Sequence, residues 1–199
     1  MADHKESKKF SELLEVARRL GASDAAVIPT SGICIEDELA RLCEEPRCEN
    51  FGASANCPPH VSGPNGFREL LKVYEQAVVF KLEVPSSALF SPVEGLEVFG
   101  LLQEMAAGIE QAAIKIGQTR SKAFAGNCCK KLFCGDRPGC RVLHEGGKCR
   151  NPQSARPSMS GFGINISKLM ESAGWSIKKA GGEGVDTETA TLCGLILIG

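Results

Sequence analysis

The sequence lacks several features that would assign it to a large functional class. Its 23 basic and 24 acidic residues leave a formal net charge of −1, so no bulk electrostatic attraction to nucleic acid or to an anionic membrane is expected. No stretch approaches the roughly 20 apolar residues that span a bilayer. The first residues, MADHKESKKFSELLEVARRLG, contain no apolar core of a secretory signal. We therefore expect a cytoplasmic protein that binds neither nucleic acid nor membrane.

Motifs for nucleotide binding and for thiol exchange are also missing. There is no Walker A loop, and no G-x-G-x-x-G follows a predicted strand. No two cysteines are separated by two residues, which is the spacing of a thioredoxin-like pair. Nucleotide chemistry and dithiol exchange therefore have no support in the sequence.

Cysteine is what the sequence has in excess. Five of the ten cysteines lie in AGNCCKKLFCGDRPGCRVLHEGGKCRNP, residues 125–152, among several lysines and arginines. Cytosolic thiols stay reduced, and small disulfide scaffolds are usually shorter and secreted. The cysteines are therefore interpreted as metal ligands rather than as disulfide partners.

Hydrophobic periodicity and turn residues predict the elements around these cysteines. Helices are predicted over 8–20, 34–43, 67–77, 92–117 and 164–174. Strands are predicted over 24–30, 77–85, 120–126, 175–180 and 189–199. This alternation favours an α/β or α+β fold with a single sheet and packed helices. Without an internal repeat, we expect one domain over 1–199, with long cysteine-rich loops at about 43–66 and 126–157 that wrap a metal–sulfur centre.

The cysteine spacings favour an iron–sulfur centre. In the first loop, four residues separate Cys43 from Cys48 and eight separate Cys48 from Cys57. In the second, gaps of four, five and eight residues separate the successive ligand candidates Cys129, Cys134, Cys140 and Cys149. Iron–sulfur clusters take four thiolates from Gly- and Pro-rich loops of this kind. Zinc ribbons prefer two short-gap pairs, and each loop has only one short gap, so zinc is the alternative.

The ligand set of the first loop is incomplete. Three cysteines leave one iron open, unless Cys34, His60 or a carboxylate closes the site. Cys34 is equally well interpreted as a structural thiol. Cys128 is ambiguous, because the four-residue gap after Cys129 repeats the gap of the first loop and favours Cys129 as the ligand.

Three further residues have less specific patterns. Cys193, in TLCGLILIG, is interpreted as a core residue. Arg156, in ARPSMSGFGI, could bind an anion, although the serines beside it are more typical of a helix cap. His144 is expected to be exposed.

The segments LCEEPRCENFGASANCPPHVSGPNGFREL and SKAFAGNCCKKLFCGDRPGCRVLHEGGKCRNPQSARPSMSGFGINISKLMESAGW together resemble a family of uncharacterised prokaryotic proteins. Its members, common in anaerobes, are labelled predicted metal-binding proteins. The resemblance covers the chain from about residue 10 to 199. It implies metal binding, most simply iron–sulfur, without an established reaction. The implied ligands are Cys43, Cys48, Cys57, Cys129, Cys134, Cys140 and Cys149.

Three functions follow from these observations. The first is a redox or electron-transfer accessory protein with one or two 4Fe-4S clusters and a redox partner protein. The second is an enzyme that uses a three-cysteine cluster as a Lewis acid, for example in sulfur removal. The third is a structural zinc-binding module. Two separate clusters and one cluster shared by both loops are both compatible with the sequence.

Overall fold

A computed structural model describes residues 2–176 and 188–199. Its strands are β1 (Asp24–Pro29), β2 (Gln76–Pro85), β3 (Lys122–Phe124) and β4 (Thr189–Ile198). Its α-helices are α1 (Ala2–Arg19), α2 (Asp37–Arg41), α3 (Gly63–Leu71), α4 (Ser86–Phe90), α5 (Glu94–Lys115), α6 (Cys129–Phe133), α7 (Arg141–His144) and α8 (Ile166–Ser172). Short 3-10 helices cover Thr30–Gly32 and Met159–Phe162.

The four strands form a single antiparallel sheet in the order β1-β2-β4-β3. Strands β2 and β4 lie at the centre and pair over ten residues, from Gln76 opposite Ile198 to Pro85 opposite Thr189. A central strand is covered on both faces, which is why LCGLILI at the end of β4 is almost continuously apolar.

Alternate residues of the central strands supply two separate hydrophobic cores. Val78 and Phe80 of β2 pack with Leu13 of α1 and Ile109 of α5 on one face. The neighbouring β2 residues pack on the opposite face with α3 and α8, in a core that includes Ala77, Val79, Phe67 and Leu169. The two-residue period of a strand therefore places helices on both faces of the sheet.

The α+β alternative of the predicted fold class is confirmed. Strands β1 to β4 were all expected, with β3 shorter than predicted. Most of the strand predicted over 175–180 lies outside the described residues, which end at Ser176 in this part of the chain. Trp175 and Ser176 are not in a strand. Helix α4 was not expected from the sequence.

The helix predicted over 34–43 is wrong in its extent, because α2 covers only Asp37–Arg41. Ile35 forms an isolated antiparallel bridge with Ile164. The Glu36 amide donates a 2.8 Å hydrogen bond to the carbonyl of Gly163. These contacts hold the residues before Asp37 in an extended conformation.

The sheet brings the two cysteine-rich regions to the same end of the molecule. Strand β3 leads into the second cysteine loop (residues 126–157), and its neighbour Ala125 accepts a 2.9 Å hydrogen bond from the Met159 amide. The Ser158 amide in turn donates to the carbonyl of Asn56 at 3.3 Å, in the first cysteine loop (residues 43–66). Within the described part of the chain, no helix has the length and apolar character needed to cross a membrane.

Candidate metal centre

Four cysteines line a first cavity of about 120 Å³. Three come from the first cysteine loop, Cys43, Cys48 and Cys57, and the fourth is Cys128 from the second. Cys57 and Cys128 are buried, whereas Cys48 is exposed. The other lining residues carry no carboxylate and no imidazole: Asn50, Phe51, Pro58, Asn127, Ser158 and Ser160.

The first loop presents its three thiols through a series of tight backbone turns. The Cys48 amide donates to the Cys43 carbonyl at 3.1 Å, and the Cys57 amide donates to Ser54 at 3.0 Å. The 3-10 helix Met159–Phe162 supports this loop from behind. A Cβ atom on Gly161 would lie 3.0 Å from Pro58 Cδ, so a larger residue there would require Pro58 to shift by a few tenths of an ångström. The glycine after SMS in ARPSMSGFGI therefore permits close packing beneath Cys57.

The remaining four cysteines of the second loop line a second cavity, of about 20 Å³. They are Cys129, Cys134, Cys140 and Cys149. Cys129 is buried, and the other three are partly buried. Helix α6 begins at Cys129, and Cys140 immediately precedes α7. The loop predicted here thus contains two short helices, each too short to produce a readable hydrophobic period.

Side chains of the first loop also reach the second cavity. Ser54 Oγ and Cys129 Sγ are joined by a 3.0 Å hydrogen bond, and Asn56 Nδ2 donates to the same sulfur at 3.4 Å. Cys57 comes next in the chain and lines the first cavity. The short segment 54–57 therefore contributes to both cavities. A further contact between the loops is the ion pair of Lys131 with Glu49.

Asn151 contacts two thiols of the second cavity. Its Nδ2 atom donates to Cys134 Sγ at 3.1 Å, and its backbone amide donates to Cys149 Sγ at 3.4 Å. Hydrogen bonds to sulfur favour thiolates and tune the potentials of iron–sulfur clusters. Sequence reasoning missed Ser54, Asn56 and Asn151, because polar loop residues follow no spacing rule that marks them as donors to sulfur.

Positive charge surrounds the second cavity. Lys130, Arg141 and Arg150 are among its lining residues. Arg150 Nη2 lies 2.6 Å from Glu145 Oε1, and Arg141 Nε lies 3.4 Å from Glu145 Oε2. One carboxylate therefore partly offsets two guanidinium groups, and the local excess of positive charge favours thiolates.

The buried thiols of the first cavity interact directly. A hydrogen bond with Cys57 is the main cause that lowers the pKa of Cys128 to about 6, against the opposing effect of burial. The same hydrogen bond and burial raise the pKa of Cys57. The backbone amides of Lys131 and Lys130 also lower the pKa of Cys128. Metal binding requires thiolates, and the shared hydrogen bond favours a thiolate within this pair.

Burial and hydrogen bonding act in opposite directions on the second set. Burial raises the pKa of Cys129, although its contacts with Ser54 and Asn56 oppose that effect. For Cys140, burial is outweighed by backbone amides, first that of Ala55, so that the pKa of this thiol is lowered.

The structure separates the two cysteines that sequence spacing treated as alternatives. Cys128 lines the first cavity, and Cys129 lines the second. Both cysteines therefore lie at a cavity lined by thiols, and the choice of Cys129 over Cys128 as a metal ligand stays a prediction. The number of ligand candidates could have indicated Cys128. The first loop offers three cysteines and the second offers four, so two four-cysteine sites need one more thiol.

Three other sequence candidates lie away from both cavities. Cys34 Sγ is 3.6 Å from Lys168 Nζ and 3.7 Å from Glu36 Oε1. His60 and His144 are exposed and line neither cavity. Cys193 is buried in the sheet core, as expected, and burial raises the pKa of its thiol to about 12.

Arg156 forms a largely buried ion pair with Glu110. Its Nε and Nη2 atoms lie 2.8 Å and 2.5 Å from Glu110 Oε2, and the two side chains are only 10% and 13% exposed. Its remaining nitrogen donates to the carbonyls of Pro152 and Ala155. The guanidinium group therefore anchors the end of the second loop to α5. Asn165, rather than a serine of this segment, caps α8, and it accepts from the Lys168 amide.

The donor set of each cavity is four thiols. Among residues 2–176 and 188–199, no three His, Cys, Asp or Glu side chains are arranged to hold one metal ion. Four thiols are the ligand number and type of both a 4Fe-4S cluster and a structural zinc site.

Comparison with known proteins identifies a family. A model described as "Predicted metal-binding protein (DUF2284)" matches residues 26–198. No curated protein and no solved structure matches the chain. The matched segment includes all ten cysteines and all four strands apart from the first two residues of β1. The chain therefore belongs to the DUF2284 family of predicted metal-binding proteins.

Proposed function

We propose that the protein transfers electrons through two 4Fe-4S clusters, one in each cavity. The first would be held by Cys43, Cys48, Cys57 and Cys128, and the second by Cys129, Cys134, Cys140 and Cys149. The observation that carries this proposal is the division of eight of the ten cysteines into two sets of four, each around its own cavity.

Iron–sulfur clusters account for the thiol geometry better than zinc does. A tetrahedral zinc site draws its ligands in to about 2.3 Å from one ion, whereas the described cysteines form no single-ion arrangement. The first cavity, at about 120 Å³, is several times the roughly 10–15 Å³ that one water needs on the same measure, so it offers room for an inorganic core. This argument from volume applies to the first cavity alone, because the second measures about 20 Å³.

Electron transfer is favoured over Lewis-acid catalysis because Cys128 supplies a fourth thiol to the first site. The enzyme alternative depends on a three-cysteine site with an open iron. In addition, no histidine or carboxylate among the described residues lines either cavity. General acid–base catalysis usually depends on such groups, so these surroundings are better suited to holding a redox centre than to chemistry on a substrate.

The chain's own residues set the properties of the two sites. When bound, a 4Fe-4S cluster would supply one-electron oxidation and reduction at a potential tuned by its protein surroundings. Ser54, Asn56 and Asn151 stabilise thiolate charge at the second site. Cys128 and Cys129 join the sites through a single peptide link, with Cα atoms about 3.8 Å apart. This link provides a short covalent path between them.

A reductive titration tests this function. The anaerobically purified protein is reduced stepwise with dithionite and followed by visible absorption near about 400 nm and by electron paramagnetic resonance. We expect bleaching with uptake of about two electrons per chain, one for each cluster. A preparation stripped by chelator and oxidant is the control. Protein that contains iron and sulfide but takes up no electrons, and whose spectrum changes with cyanide, would support the open-iron enzyme instead.

A further inference from the structure

Charge is distributed very unevenly along this nearly neutral chain. The second cysteine loop, residues 126–157, contains seven Lys and Arg but only two Asp and Glu, a formal charge of +5. The rest of the chain contains sixteen basic and 22 acidic residues, a formal charge of −6. The overall charge of −1 therefore hides a basic segment, although Lys131 and Arg156 are paired with Glu49 and Glu110 outside it.

Not all of this basic charge faces the thiols. Lys130, Arg141 and Arg150 line the second cavity, where they offset thiolate charge. Arg137 and Lys148 do not line it and are exposed to solvent. The Arg137 side chain is 57% exposed and forms an ion pair with its neighbour Asp136, at 3.1 Å. Lys148 forms no ion pair with any residue that the structure describes. We refer to Arg137 and Lys148 as the basic rim.

An apolar residue of the same loop is also exposed. Val142 of α7 lines the second cavity and is 38% exposed. It is flanked in sequence by Arg141 and lies between the two rim residues along the chain. An apolar centre with a charged rim is the usual composition of a protein–protein interface.

We propose that this face of the second loop docks a small acidic electron-carrier protein. The inference rests on the proposed function and adds the partner's charge and its docking site. Complementary charge steers such encounters and speeds association, and it permits fast release because rim charges are screened by salt. On docking, the partner's reduced centre loses one electron and the second site gains it, with no bond made or broken.

Binding is measured by titrating the holoprotein with a plant-type 2Fe-2S ferredoxin, which serves as the acidic probe. The titration is done at about 20 mM and at about 200 mM salt, because the higher concentration screens charge over a much shorter distance. The test variant is Arg137→Glu with Lys148→Glu. The matched control is Lys8→Glu with Arg19→Glu, which makes the same change in net charge at exposed positions of α1. We expect the rim variant to weaken binding by about tenfold or more at low salt, and the control by less than about twofold.

Three results would overturn the inference. They are wild-type binding that does not weaken as salt rises, equal losses in the rim and control variants, and binding of a DNA duplex by the rim without any effect of the rim on the ferredoxin. The salt series uses the unsubstituted protein, so it decides the matter even if the rim variant loses iron. Absence of iron and sulfide in the wild type would instead refute the proposed function, which separates the two failures.

Discussion

Cys128 and Cys129 are consecutive in the chain, yet their thiols line different cavities. Cys128 is extended, with φ −98° and ψ 118°, and Cys129 is the first residue of α6. Successive side chains diverge where an extended residue enters a helix. This change in backbone conformation directs the two adjacent thiols to different cavities, and the peptide bond between them links the two sets of four cysteines covalently.

Replacing Cys128 by serine should remove one cluster. Without its fourth thiolate the first site loses its cubane, so iron and acid-labile sulfide should fall from about eight to about four of each per chain. The measurement is iron and sulfide analysis after anaerobic purification. Cys34→Ser is the matched control and should keep the full content, because Cys34 contacts Lys168 and Glu36 away from both cavities. The reverse pattern would support the sequence-based alternative in which Cys34 closes the first site.

The two sites should be separable by mutation. Cys43→Ser should remove only the first cluster and Cys140→Ser only the second, leaving about half of the iron in each variant. In the fully reduced wild type, the short Cys128–Cys129 link should produce spin–spin interaction in the electron paramagnetic resonance spectrum. Each single-cluster variant should show a simpler spectrum. Complete loss of iron in both variants would indicate one cluster shared by the two loops.

Removing hydrogen bonds to sulfur should lower the potential of the second site. Ser54→Ala and Asn151→Ala each delete a donor or partner of a thiol of this site. Such bonds stabilise the more negative, reduced state. A differential effect of about 1 kcal/mol corresponds to roughly 40 mV for one electron. Potentiometric titration measures both sites together, so an unchanged first site is an internal control and Ser11→Ala on α1 an external one. A shift at the first site alone would contradict the assignment of these donors.

Arg156→Ala should strongly destabilise the protein. It leaves Glu110 without its partner in a largely buried ion pair, which typically costs about 3–5 kcal/mol. The measurement is the free energy of unfolding in urea, followed by circular dichroism. Lys72→Ala is the control, because the Lys72–Glu69 pair is exposed and should contribute less than about 1 kcal/mol. Similar costs for both variants would show that Arg156 does not anchor the second loop.

The sheet was predictable from sequence because its signals are local. Strands β2 and β4 have long apolar, β-branched runs, and α5 has a sustained helical period ended by a glycine. Helices α6 and α7 have four or five residues, less than two turns, and carry no such period. The single-domain assignment to 1–199 stays a prediction.

The site was predictable only in part. Spacing selected seven of the eight cysteines that line the two cavities, because a repeated four-residue gap is visible in sequence. It did not select Cys128, since spacing describes separation along the chain and not the direction of side chains. That these cysteines bind metal stays a prediction. Arg156 was also unpredictable, because its partner Glu110 lies 46 residues earlier, on α5.

Metal and sulfide analysis of the anaerobically purified protein tests the central claim most directly. Two four-cysteine sites holding 4Fe-4S clusters predict about eight iron and about eight acid-labile sulfide per chain, with little zinc. Stoichiometric zinc without sulfide would contradict the account and identify the two thiol sets as structural zinc sites.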